Sequence, residues 1–184
     1  MYFQRLFLLV LLTKSSFPKF VLPMKVLIST RLDPIYGSGS IGGHVHNIAG
    51  GNRFNATFNA EYLLSSTCTT SPITVDKSSY WAPALYFMNV TTTTTTFTRL
   101  LSTYNIWYIP NGPNPKAFPP GLEMVVGDAN SIAFNISSFD NLAISWGCLD
   151  ANNDETLTSG FPQTDCPSEF LIHFLIFLSV NFRL

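Results

Sequence analysis

Two of the chain's three histidines, His44 and His46, stand two residues apart inside SIGGHVHNIAGG, residues 40–51. In a strand, residues i and i+2 project from the same face. Two imidazoles on one face can hold a divalent metal or work as an acid and base pair, because histidine titrates near neutrality. Asp33, eleven residues earlier, can orient one ring or add a ligand. A metal needs at least three good ligands, so His44 and His46 make only part of such a site. Gly42, Gly43, Gly50 and Gly51 flank the pair and would let a ligand approach the backbone closely. The plain alternative is that both rings donate to backbone carbonyls and the glycines serve chain geometry.

A second stretch, DKSSYW at residues 76–81, places Asp76 and Lys77 side by side in a charge-poor chain. Tyr80, Trp81 and Tyr86 add aromatic surfaces, two with polar tips. Sugar rings present apolar faces edged with hydroxyls, and an aromatic platform beside Asp, Lys and His suits them. The alternative is a core strand with Trp81 buried and an Asp76–Lys77 pair at the surface. Asp128, after VVG, reads as a turn residue. The chain contains no nucleophile elbow, dinucleotide fingerprint, phosphate loop, His-Glu-x-x-His or Cys-x-x-Cys.

These groups must be positioned by short β elements. PALYFMNV, NIWYIP, LEMVVG and SIAFNIS each combine β-branched and aromatic residues between turn formers. A further strand is expected near residues 25–29. No segment keeps a 3.6-residue period over a dozen residues. The expected fold is mainly β, a β-sandwich or jelly-roll-like arrangement with long irregular loops, incomplete at the C-terminus. The six threonines at residues 91–96 read as an exposed loop.

Composition sets the compartment. The 184 residues are 46% hydrophobic and 11% charged, with a net charge of −1. No basic surplus is available for phosphates, so nucleic acid is an unfavoured partner. Arg5 followed by the apolar run at residues 6–12 suits a signal peptide, assigned to residues 1–20, and is too short to span a bilayer. Asn55, Asn89 and Asn135 begin Asn-x-Ser/Thr sequons. The expectation is a secreted glycoprotein with no transmembrane span. Three cysteines, Cys68, Cys148 and Cys166, would give one disulfide and one thiol left over.

Three motifs occur in order: RLDPIYGSGSIGGHVHNIAGG, VDKSSYWAPALYF and KAFPPGLEMVVGD. They resemble the signatures of a secreted fungal family known as a domain of unknown function (number nineteen ninety-six), often joined to WSC sugar-binding modules. The resemblance is densest over residues 31–128. It implies an extracellular or cell-wall protein and assigns no reaction. The chain departs from the pattern in four places. No cysteine precedes the Arg-x-Asp-Pro motif at Arg31, Ser71 stands where a second cysteine is usual, Gly42 stands where a serine is usual, and the family's later Phe-Pro-Ser-Cys-Trp and Ser-His segments are missing. The expected organisation is therefore a signal peptide, a partial domain over residues 25–169, and an apolar tail at 170–184 read as a gene-model artefact. Three functional expectations follow. The first is action on cell-wall polysaccharide through His44 and His46, with Asp33, Asp76 and Lys77 in support and a divalent metal as candidate cofactor. The second is a non-catalytic wall or glycan-binding module using Tyr80, Trp81 and Tyr86. The third is a non-functional fragment.

Overall fold

The computed structural model describes residues 19–110, 115–128, 133–135, 137–138, 141, 143–150, 152, 155–158, 160–162, 166 and 171–175. Most of the expected signal peptide, and most of the apolar tail, lie outside the described residues. The chain divides into two compact units at Gly121/Leu122.

The first unit contains β1 (Phe20–Lys25), β2 (Ile28–Thr30), β3 (His46–Gly50), α1 (Ala60–Leu64), β4 (Ser79–Pro83), β5 (Tyr86–Val90), β6 (Thr95–Arg99) and β7 (Thr103–Tyr108). They form an antiparallel β1–β7 ribbon, a three-stranded β2–β3–β4 sheet and a β5–β6 hairpin. The mainly β expectation is borne out, with long irregular loops. Among the described residues every sheet is open and none closes into a barrel.

Alternation explains how two of these pieces become layers. In β1, Leu22 and Met24 are buried while Pro23 and Lys25 are exposed. In β7, Tyr104, Ile106 and Tyr108 turn inward and alternate with exposed Thr103, Asn105 and Trp107. A period of two puts each set on one face. The inward faces meet Ala49 of β3 and Tyr80 of β4, forming the core Leu22, Met24, Ala49 with Tyr80, Tyr104, Ile106 and Tyr108 around it. A two-stranded ribbon laid on a three-stranded sheet is a small sandwich-like arrangement. Pro23 lacks an N–H, and its strand pairs only with β7, so it occupies an edge where proline is tolerated.

The expected single strand near residues 25–29 is split. β1 ends at Lys25, and Leu27 N–H donates to Ile48 O at 2.7 Å, starting β2 on a different sheet. The threonine run is exposed as expected, but only its first four residues are loop. Thr91 N–H donates to Thr94 O, and the Thr91 hydroxyl accepts from Thr94 N–H. That closes a four-residue turn, and Thr95 and Thr96 begin β6 opposite Val90 and Asn89. LEMVVG does not form a strand. Helix α1 was not legible in the periodicity. It is a single turn and a little more, started by Asn59, whose side-chain oxygen accepts from Tyr62 N–H at 2.8 Å.

The second unit is a three-stranded antiparallel sheet in the order β10–β8–β9, with β8 at Ile144–Leu149, β9 at Glu155–Thr158 and β10 at Leu171–Leu175. A disulfide joins Cys148 of β8 to Cys166, leaving Cys68 of the first unit free and exposed. Closing a loop of this size restricts the unfolded chain by about 3 kcal/mol in the entropic account. His173 sits on β10 opposite Trp146 in register.

Ile48 has no exposed surface and lies in the central strand. Ile48→Ala is expected to cost about 2–5 kcal/mol through lost transfer energy and a cavity. Val75→Ala, at an 82% exposed residue, is expected to stay within about 0.5 kcal/mol. Urea titrations of the two variants against the parent check this; equal midpoints for both variants would contradict the assigned core.

Candidate functional site

β3 carries HNIAG, and all five residues are buried. His46 and Ile48 face one side of the sheet, Asn47 and Ala49 the other. Two neighbouring side chains with polar atoms are thus buried on opposite faces, and each must find partners.

On the first face, His46 meets the loop at residues 31–43. Its Nδ1–H donates to Leu32 O at 2.9 Å, and its Nε2 lies 4.0 Å from Asp33 Oδ2. The other Asp33 oxygen accepts from Ile35 and Tyr36 N–H at 3.0 and 2.9 Å, tightening the turn that Pro34 begins. Arg31 clamps the loop's two ends. Its Nε donates to Gly42 O at 2.9 Å, and Gly42 N–H returns a bond to Arg31 O. His44 sits in the bend before β3, exposed, with its ring edge-on to His46 at 4.5 Å between centroids. The two rings are adjacent without sharing a strand face, because only His46 is in the strand.

Burial holds the His46 pKa below the usual histidine value. The Leu32 carbonyl and the Asp33 carboxylate oppose that shift, and His44 reinforces it. His46 is therefore biased toward the neutral form, with its one N–H committed to a carbonyl.

Gly50 and Gly51 serve chain geometry, whereas a Cβ on Gly43 would meet nothing within 4 Å. Gly50 has φ 105°, and a Cβ there would lie 1.9 Å from Ser78 O; one on Gly51 would lie 2.6 Å from Lys77 O. They let the chain entering β4 pass against β3, and the space beside these two glycines is filled by backbone.

Asp76 and Lys77 do not join the histidines. They precede Ser79, which pairs with Gly50, whereas His46 pairs with Pro83 at the other end of the ladder. Four residues of strand separate the two ends, about 13 Å. Asp76 Oδ1 accepts from Ser78 N–H in a local turn. Among the described residues no group of three or more His, Cys, Asp or Glu side chains could hold a metal ion.

The three aromatics expected to form one platform go to three places. The Tyr80 hydroxyl pairs with that of Tyr108 at 2.6 Å in the core. Trp81, on the opposite face, packs edge-on against Phe54 at 5.4 Å and is partly buried. Tyr86 is 43% exposed and borders an open cleft.

That cleft, about 470 Å³, lies between β2–β3 and the β5–β6 hairpin, and includes Leu100, Leu101 and Ser102 of the connection into β7. Its floor is Asn47, only 3% exposed. Asn47 Oδ1 accepts from Ser29 Oγ at 2.7 Å, its Nδ2 donates to Ser102 Oγ at 3.0 Å, and its main-chain carbonyl accepts from the Tyr104 hydroxyl at 2.5 Å. Burial raises the Tyr104 pKa to about 12, so this donor stays protonated. Arg99 Nη1 donates to Ser29 Oγ and to Asn47 Oδ1. Sequence reasoning missed Ser29, Asn47, Arg99 and Ser102. The one available signal was Asn47 itself, next to His46 and, by alternation, facing the other way.

A mainly β module results, with a stapled loop on one side of its central strand and an open polar cleft on the other. The family model described as Domain of unknown function (DUF1996) matches residues 33–179, most of the chain, and the chain belongs to that family. No curated protein and no solved structure matches it. Among the described residues no helix is long and apolar enough to cross a membrane.

Because the folded chain disfavours protonated His46, the unfolded chain takes up that proton first as pH falls. Stability is therefore expected to be full above about pH 6.5 and to decline below it, down to the lowered folded-state pKa. Thermal midpoints at pH 7.5 and 5 should differ by less in His46→Gln than in the parent. An undiminished difference in the variant would remove His46 as its source.

Proposed function

We propose that this chain is a secreted, non-catalytic glycan-binding module of an extracellular or cell-wall protein, with the saccharide held in the cleft floored by Asn47. One observation carries the reading: the cleft sets the exposed ring of Tyr86 beside amide and hydroxyl groups already fixed in place by one another. A sugar needs that combination, an apolar surface for its ring face and preorganised donors and acceptors for its hydroxyls. Secretion is supported by the apolar N-terminal run and by three sequon asparagines, Asn55, Asn89 and Asn135, all exposed. On β5, Asn89 faces opposite to Tyr86, so a glycan on Asn89 leaves the cleft free. Tyr86→Ala is expected to weaken binding about fivefold or more, the scale of one stacking contact, with an unchanged melting temperature. Titration calorimetry against wall oligosaccharides measures it. If no glycan binds the parent protein, the reading is lost.

A second reading rests on His44. It is exposed, in edge contact with His46, which in turn faces Asp33. That row of groups could assist proton transfer in a polysaccharide hydrolase or lyase. On this reading His44→Ala abolishes release of reducing ends or unsaturated products from wall glycans. Absence of turnover in the parent, or turnover that survives the change, would eliminate it.

A further inference from the structure

We propose that the cleft selects an anionic saccharide, one carrying an acidic group, and that Arg99 is the residue that reads the charge. This rests on the glycan-binding reading and names its ligand class. Tyr86 and Arg99 are direct cross-strand partners in the β5–β6 hairpin. Opposed residues of an antiparallel pair share a face with Cβ atoms about 5 Å apart, so aromatic ring and cation border the cleft side by side. The same face continues along the hairpin through the pair Met88 and Phe97, 56% and 64% exposed. A chain of sugar rings lying on this strip would bring one residue onto Tyr86 and its substituent to Arg99.

The guanidinium is held for this. Arg99 Nη1 donates to Ser29 Oγ and Asn47 Oδ1. Asn47 cannot swing away, because Ser29, Ser102 and Tyr104 fix it in turn. The Nε and Nη2 edge has no partner among the described residues. Two parallel N–H groups on that edge match two oxygens of a carboxylate or phosphate. Among the described residues no Asp or Glu pairs with Arg99, and it is the one cationic side chain lining the cleft. Neutral saccharides would leave this edge to solvent; an acidic one would pair with it.

The test is binding of the full chain, by calorimetry, to oligogalacturonate, to its methyl ester, to phosphorylated mannan and to unphosphorylated mannan. The expected result is that at least one acidic ligand binds about tenfold or more tighter than its neutral counterpart, with the preference shrinking as salt rises. Preference for oligogalacturonate makes the source a carboxylate; preference for phosphorylated mannan makes it a phosphate. Arg99→Gln is expected to erase the preference for the acidic ligand over its neutral counterpart. Arg99→Lys, which keeps the charge and loses the fork, should retain part of it. Acidic and neutral ligands bound equally by the parent protein, or a preference that survives in Arg99→Gln, would overturn the assignment and leave the glycan-binding reading standing. Binding to none of the four would overturn both.

Discussion

β3 runs through the first unit with every residue buried, and two of its five side chains, His46 and Asn47, are polar. Burying such groups without partners costs about 1–3 kcal/mol each. The surrounding chain is arranged to avoid that cost. His46 draws the loop at residues 31–43 onto one face through Leu32 and Asp33, and Asn47 draws Ser29, Ser102, Tyr104 and Arg99 onto the other. Segments up to 57 residues apart in sequence are tied to one strand by these bonds.

The motif RLDP…GGHVHNIAGG is thereby largely a structural unit. Arg31 and Gly42 close the loop, Asp33 tightens its first turn, His46 pins it to the sheet, and Gly50 and Gly51 admit the next strand. Each residue type is used for what it alone supplies: a forked donor, a short acceptor, a flat donor that fits under a loop, and a backbone without Cβ. His44, exposed beside His46, makes no bond of this kind among the described residues and is the group left over for other use.

The two faces of the strand also differ in what they leave open. The histidine face is closed by the loop, whereas the asparagine face divides. Toward Ala49 it is sealed by the apolar residues of β1 and β7, and toward Ser29 it opens into the cleft. Polar groups there are preorganised by core packing on one side and meet solvent on the other. Rigid donors at a solvent boundary lose little entropy when they bind.

How much of this was legible is clear residue by residue. The β-branched and aromatic residues of LYFMNV and NIWYIP, set between turn formers, marked β5 and β7. The contact of His44 with His46, and Asp33 beside them, followed from short spacing. Trp81 and Tyr80 could not be told from a binding platform by sequence, since a ring buried in a core and a ring bordering a cleft look alike until the strand's two faces are assigned. Asp76, grouped with the histidines as support for one site, lies at the far end of the ladder, because antiparallel pairing reverses direction. By itself, the sequence determined the β character, the local turns and the family, all of which depend on residue types at short range. Only the tertiary structure decided that Asn47, Ser29, Ser102 and Arg99 share one cleft. Strand register and sheet order bring them together, and those depend on burial over the whole unit.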